Sequence, residues 1–100
     1  MNLIERYKDQ IELLCRKHRV RKLYVFGSVL SDRFSSNSDI DMLVEFDNIE
    51  LSEYADNYFE LKFALEDTLN RSVDLIEEKA LRNPFLKQNI EASRHLLYAA

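Results

Sequence analysis

Two aspartates stand one residue apart, Asp39 and Asp41, at the mouth of an apolar run, Met42-Leu43-Val44. Residues i and i+2 of a strand share a face, so a strand over 39–46 points both carboxylates the same way and sends Ile40 to the core. Anions held side by side repel unless a proton or a cation intervenes, and a divalent metal answers that repulsion directly. A third acid, Asp74, lies inside the apolar stretch Val73-Asp74-Leu75-Ile76-Glu77. It shares a face with Ile76 and would be costly to bury unpaired. If its strand lies beside the second strand, the three carboxylates form one cluster. Such a cluster suits Mg²⁺, which prefers oxygen ligands and keeps waters and substrate phosphates around it. Two metals held this way clamp the attacking and leaving oxygens of a phosphoryl transfer. The third acid can also take the proton of the attacking hydroxyl.

Gly27-Ser28 supplies the other half. Gly27 is the only glycine in the chain and closes the apolar run Leu23-Tyr24-Val25-Phe26. Lacking a Cβ, it lets the backbone approach a ligand closely. A helical turn starting at Ser28 would aim its free N–H groups at an anion. A triphosphate would suit, with backbone N–H groups and the Ser28 hydroxyl on one side and metal on the other. Gly-Ser alone is only a turn. Gly-Ser, a ten-residue gap, Asp-x-Asp and a later strand acid together carry the functional reading.

The elements that must position these residues follow from periodicity. Leu3, Tyr7, Ile11, Leu14 and His18 recur at spacings of four and three, which predicts a helix over 3–18 with Asn2 as its cap and Glu5 three residues on. Strands are expected at 22–27 and 39–46, joined by a loop or single turn over 28–37. A long helix over 52–69, with Ser52 as its cap, carries the stripe Tyr54, Tyr58, Leu61, Leu65 and Leu69, widened by Phe59 and Phe63. Core packing is the expected role of Tyr54 and Tyr58. A third strand covers 73–77. Asn83-Pro84 then opens a last helix, cap followed by proline, which carries Phe85, Leu86, Ile90, Leu97 and Tyr98 to the end of the chain. The expected architecture is an α/β (α+β) layer structure of order α-β-(turn)-β-α-β-α, with a small mixed three-stranded sheet flanked by helices. His18 and His95 fall on predicted helices in ordinary roles, and Glu77 and Glu78 read as solvated. Arg71 and Lys79 flank the third strand within weak reach of a phosphate.

The spacing also resembles a known family. Gly27-Ser28, ten residues and Asp39-Ile40-Asp41 resemble the Gly-Ser-x10-Asp-x-Asp pattern of the polymerase-β-like nucleotidyltransferase superfamily, and Asp74 in Val-Asp-Leu-Ile stands where that pattern has its third acid. The short length and the stretch Ala80-Leu81-Arg82-Asn83-Pro84 look like the minimal nucleotidyltransferases. The resemblance implies the nucleotidyltransferase fold, with Asp39 and Asp41 as metal ligands, Asp74 as metal ligand or base, and Gly27 and Ser28 at the nucleotide phosphates. It implies ATP as donor and Mg²⁺, two ions, as cofactor. Minimal members commonly stand beside a HEPN-domain ribonuclease toxin, onto whose tyrosine they transfer AMP, silencing it as antitoxins. Many relatives carry Arg-x-x-Gly after Gly-Ser, where this chain reads Val29-Leu30-Ser31-Asp32-Arg33-Phe34. Arg33 either replaces that cation or is a solvated side chain.

Composition bounds the rest. One hundred residues make one domain, 1–100, with one core and little room for a separate substrate domain. A partner protein is therefore the expected acceptor. The alternative is a non-catalytic module that neutralises its partner by contact. Transfer to a small molecule such as an aminoglycoside would need an added helical domain or a partner subunit. The net charge of −4 argues against general nucleic-acid binding. No apolar run approaches the ~20 residues of a bilayer span, and the N-terminus carries charge too early for a signal peptide. The lone Cys15 sits in a helical apolar pattern, as a buried thiol of a reducing cytoplasm would. Charge is unevenly spread: residues 1–22 hold seven Lys or Arg against three acids, and residues 39–60 hold eight acids and no base. The basic cluster from Arg16 to Lys22 reads as a helix C-terminus whose cations complement its dipole.

Overall fold

The computed structural model describes residues 2–27 and 38–100. A β-α-β unit forms its centre. Strand β2, Ile40–Phe46, is followed by the long helix α3, Leu51–Leu69, and then by β3, Val73–Glu77, which lies parallel to β2. Strand β1, Val20–Phe26, pairs antiparallel with the other side of β2. The middle of β2 is buried on both faces, so it reads as a continuous apolar run rather than an alternation. On one face Ile40, Met42 and Val44 join Leu23, Val25, Val73 and Leu75 beneath α2, Lys8–Lys17, and α3. On the other, Leu43 and Phe26 meet Ile90 of α4, Pro84–Ser93.

Among the described residues the sheet has four strands, in the order β3-β2-β1-β4, rather than three. The last helix does not run to the end of the chain. It stops at Ser93, Arg94 takes an extended conformation (φ −67°, ψ 146°), and β4, His95–Ala99, pairs antiparallel with β1. Leu96-Leu97 is a short apolar run that fits either period. The open edge of β1 decides it, because a strand there satisfies the β1 backbone and buries Leu97 in the helix-side core. His95 therefore lies on a strand, not a helix.

The N-terminal helix is likewise divided. The α1 helix, Asn2–Arg6, ends at a turn on Tyr7, whose N–H bonds the Ile4 carbonyl at 3.2 Å before α2 resumes. Asn2 is the first helical residue rather than a cap before it. His18 caps the end of α2, buried, its Nδ1 2.8 Å from the Leu14 carbonyl. The α3 helix starts at Leu51, one residue before Ser52, with Glu50 in the capping position. Asn70, at φ 53°, closes it in the left-handed region that asparagine tolerates. Phe59 and Phe63 do not widen its core stripe. They sit two residues off Leu61 and Leu65, about 200° around the helix, and are exposed. Cys15 is fully buried, and burial pushes its thiol up to about 12.

Asn83 caps α4 as expected, its side-chain oxygen accepting from the N–H of Phe85 at 2.9 Å and of Leu86 at 3.3 Å. Asn83→Ala is expected to cost about 0.5–2 kcal/mol, read as a lower unfolding midpoint in urea at unchanged slope, and Asn83→Ser to restore most of it.

Candidate active site

The strand pairings bring the acids to one end of the sheet. In β2 the core-facing residues are Ile40, Met42 and Val44, so Asp41 and Leu43 face the side covered by α4. In β3 the same alternation puts Asp74 with Ile76 on that side. The parallel register sets Asp41 directly across from Asp74. Asp39 lies just before β2, exposed, while Asp41 is half-buried and Asp74 exposed. Burial first, then the charges of Asp74 and Asp39, hold the Asp41 carboxyl above its ordinary range. The three acids thus act on one another electrostatically, with Asp41 at the centre.

Gly27 completes the wall. Phe26 is the register partner of Asp41, so the residue after it leaves the sheet beside that carboxylate. Gly27 has φ 77°, in the left-handed region, and a Cβ there would run into Oδ2 of Asp41 and sit 3.4 Å from its Cγ. Only glycine meets both demands without displacing something. Ser28 and Arg33 lie outside the described residues.

The donor set fits a hard divalent cation. It is all oxygen, with two carboxylates in register. Among the described residues, no three acidic, histidine or cysteine side chains close into a ready-made cage. Mg²⁺ usually takes one or two carboxylates and leaves its other positions to water and substrate phosphates, a need that Asp41 and Asp74, in register, can meet.

Other charged groups sit elsewhere. A cavity of about 600 Å³ is lined by Arg19, Asp47, Tyr54, Glu77 and Lys79. These residues flank the start of β1 and the ends of β2 and β3, so it opens at the pole opposite the acids. Glu77 and Glu78 are not simply solvated: Glu77 accepts the Tyr54 hydroxyl, and Glu78 lies 4.0 Å from Arg94. Burial and a hydrogen bond with Glu45 raise the Glu78 carboxyl. The Tyr58 hydroxyl donates to the Leu75 carbonyl, next to Asp74. Sequence reading missed that Arg94 lies over the Tyr24 ring, 4.1 Å from its centroid, on the acid-bearing face. That contact depends on the turn between α4 and β4, for which the only local signal is the break in helical period.

Comparison with known proteins agrees with this geometry. A relative from Methanocaldococcus jannaschii, provisionally named a protein adenylyltransferase, is 37% identical over 95 residues, covering 91% of this chain and 94% of its own. A structure provisionally described as a minimal nucleotidyltransferase superposes with a TM-score of 0.77 at 28% identity, covering 92% of this chain and 90% of that one. A crystal structure of a toxin–antitoxin with AMP-PNP superposes with a TM-score of 0.71 at 25% identity, covering 93% of this chain and 73% of that one. The family model described as polymerase beta, nucleotidyltransferase matches residues 9–100, so this chain, with its paired strand aspartates and the glycine set against them, belongs to that nucleotidyltransferase family.

Proposed function

We propose that this chain is a protein adenylyltransferase acting as an antitoxin: it transfers AMP from ATP to a hydroxyl of a partner protein, a tyrosine of a HEPN-domain ribonuclease toxin. The observation that carries the reading is the register of Asp41 against Asp74, with Gly27 closing on Asp41. The acceptor oxygen forms a bond to the α-phosphorus while the bond from that phosphorus to the bridging oxygen breaks, and pyrophosphate leaves. Asp39 and Asp41 are the residues that would hold Mg²⁺, with Asp74 beside them, and Mg²⁺ when bound neutralises charge on the phosphates and orients them. Asp74, exposed at the sheet edge, takes the proton of the acceptor hydroxyl in this reading. Gly27 and Ser28 meet the phosphates through backbone N–H groups, and Arg33 adds a cation.

The named relatives and the AMP-PNP structure support the choice of adenylyl donor and protein acceptor. Residues 1–100 act as one domain, in the cytoplasm, where the fully buried Cys15 thiol stays reduced. No helix among the described residues is long and apolar enough to cross a membrane. Intact mass of a cognate HEPN-domain protein, after incubation with the chain, ATP and Mg²⁺, tests the reading. A gain of one or more AMP increments is expected. A stable complex with no mass gain would instead make the chain a module that neutralises by contact.

A further inference from the structure

We propose that the solvent side of α3 is the surface on which the acceptor ribonuclease docks, and that it receives the arginine- and lysine-rich part of that protein's RNA-binding face. This rests on the adenylyl-transfer reading above, which makes the acceptor a ribonuclease.

Phe59 and Phe63 are 49% and 55% exposed, on a helix whose other side already fills the core with Leu61, Leu65 and Leu69. Their rings stack on each other, centroids 6.0 Å apart at 27°, and Tyr58 meets Phe59 edge-on at 5.1 Å. Contiguous exposed aromatic surface on a small domain marks a contact site more often than chance packing does. Its surroundings are acidic. Asp56, Glu60 and Asp67 lie three, four or seven residues from Phe63 on the same helix, hence beside it on one face, and all are exposed. Residues 39–60 add no base. Lys62 Nζ lies 5.9 Å from the Phe63 ring centre, so a positive charge can reach the aromatic surface.

Flat aromatic faces bordered by carboxylates suit guanidinium and ammonium groups, which stack on the rings and pair with the acids. A protein that binds RNA carries such cations against phosphate. Docking here therefore covers part of the surface that RNA would use. The acids lie on the other side of the sheet, and the β3 edge joins the two sides. Tyr58, in contact with Phe59, donates to Leu75 of β3, the edge strand whose next residue back is Asp74. A partner seated on the aromatic pair can reach round that edge to the acids.

The test compares Phe59→Ser/Phe63→Ser and Asp56→Lys/Glu60→Lys with the wild-type chain, using the cognate HEPN-domain protein that the proposed function names. Binding is measured by titration calorimetry, and transfer by mass at limiting and saturating partner. The aromatic double variant is expected to weaken Kd by on the order of 30-fold or more, the scale of interface hot spots. KM for the partner should rise in step, with kcat at saturation and the melting midpoint unchanged. The charge-reversed variant is expected to slow association and flatten its salt dependence. Unchanged Kd and KM in both variants, with the wild type fully active, would overturn the docking surface and leave the enzymatic reading standing. A wild-type chain that neither binds nor modifies the partner would overturn both. Self-association of the chain that the aromatic double variant abolishes, with partner affinity untouched, would assign the face to a second copy instead.

Discussion

Asp41→Asn is expected to abolish adenylyl transfer while leaving the fold intact and, in metal-free buffer at neutral pH, more stable. The activity loss should be on the order of 10³-fold or more, the scale seen when a group that stabilises developing charge is removed. Asp41 sits at the centre of the acid set, opposite Asp74 and against Gly27, so its ionised oxygens are the ones that a cation would bind between the two strands. The stability gain has the opposite origin. Burial and the charges of Asp74 and Asp39 raise the Asp41 pKa in the folded protein above its unfolded value. The folded state therefore holds that proton more tightly, and ionising Asp41 costs stability. The cost is absent below the unfolded carboxylate range, where both states are protonated. It grows as pH rises through the two pKa values and stays in full at neutral pH. Asparagine carries no such charge. Melting midpoints of wild type and Asp41→Asn should thus converge in acid and separate toward neutrality, with the variant higher. Mg²⁺ should raise the wild-type midpoint and leave the variant unmoved, since ligand that binds only the folded state stabilises it. Retained transfer in the variant, or an equal Mg²⁺ response, would remove Asp41 from the metal site.

The same residues show what can be read along a chain and what requires its tertiary partners. The strand carrying Met42-Leu43-Val44 was legible because burial on both faces leaves an unbroken apolar run. The helix from Tyr54 to Leu69 and the cap at Asn83 were legible because period and capping chemistry are local. Asp39, Asp41 and Asp74 stood out because acids are out of place beside such runs. What was not legible depends on pairing. Leu96-Leu97 satisfies helix and strand alike, and only the unpaired edge of β1 makes it β4. Phe59 and Phe63 fit an apolar helix in composition, but their two-residue offset from Leu61 and Leu65 turns them to solvent. Glu77 looked solvated until α3 brought the Tyr54 hydroxyl to it. Gly27 was legible as a glycine after a strand. That its missing Cβ makes room for Asp41 follows from the antiparallel register of Phe26 with Asp41, which no local pattern encodes.

That contact makes Gly27→Ala the second large effect, expected as an activity loss of about 10²-fold with only a modest loss of stability. The substitution imposes two separate costs. At φ 77° an L-residue occupies a sparsely populated backbone region, worth about 1–3 kcal/mol. The new methyl also meets Oδ2 of Asp41, with Cγ at 3.4 Å. Of the atoms involved, the Asp41 carboxylate is the end of a rotatable side chain, whereas the Gly27 backbone is anchored by Phe26 in β1. The carboxylate yields first. A shift of about 1 Å in a reacting constellation is enough for a 10²-fold loss, and it falls on the acid that faces Asp74. For a domain of this size, 1 kcal/mol moves the midpoint by about 4–8 °C, so the variant should remain folded at 25 °C and be testable there. Its signature should be lost transfer together with a weakened Mg²⁺-induced rise in midpoint, because the displaced group is the metal ligand proposed above. Adding Gly27→Ala to Asp41→Asn should cost little further activity, since both act on one carboxylate and their effects cannot add. Full additivity of the two losses, or a Gly27→Ala variant with normal Mg²⁺ response, would mean that the glycine serves the backbone alone and that Asp41 keeps its place without it.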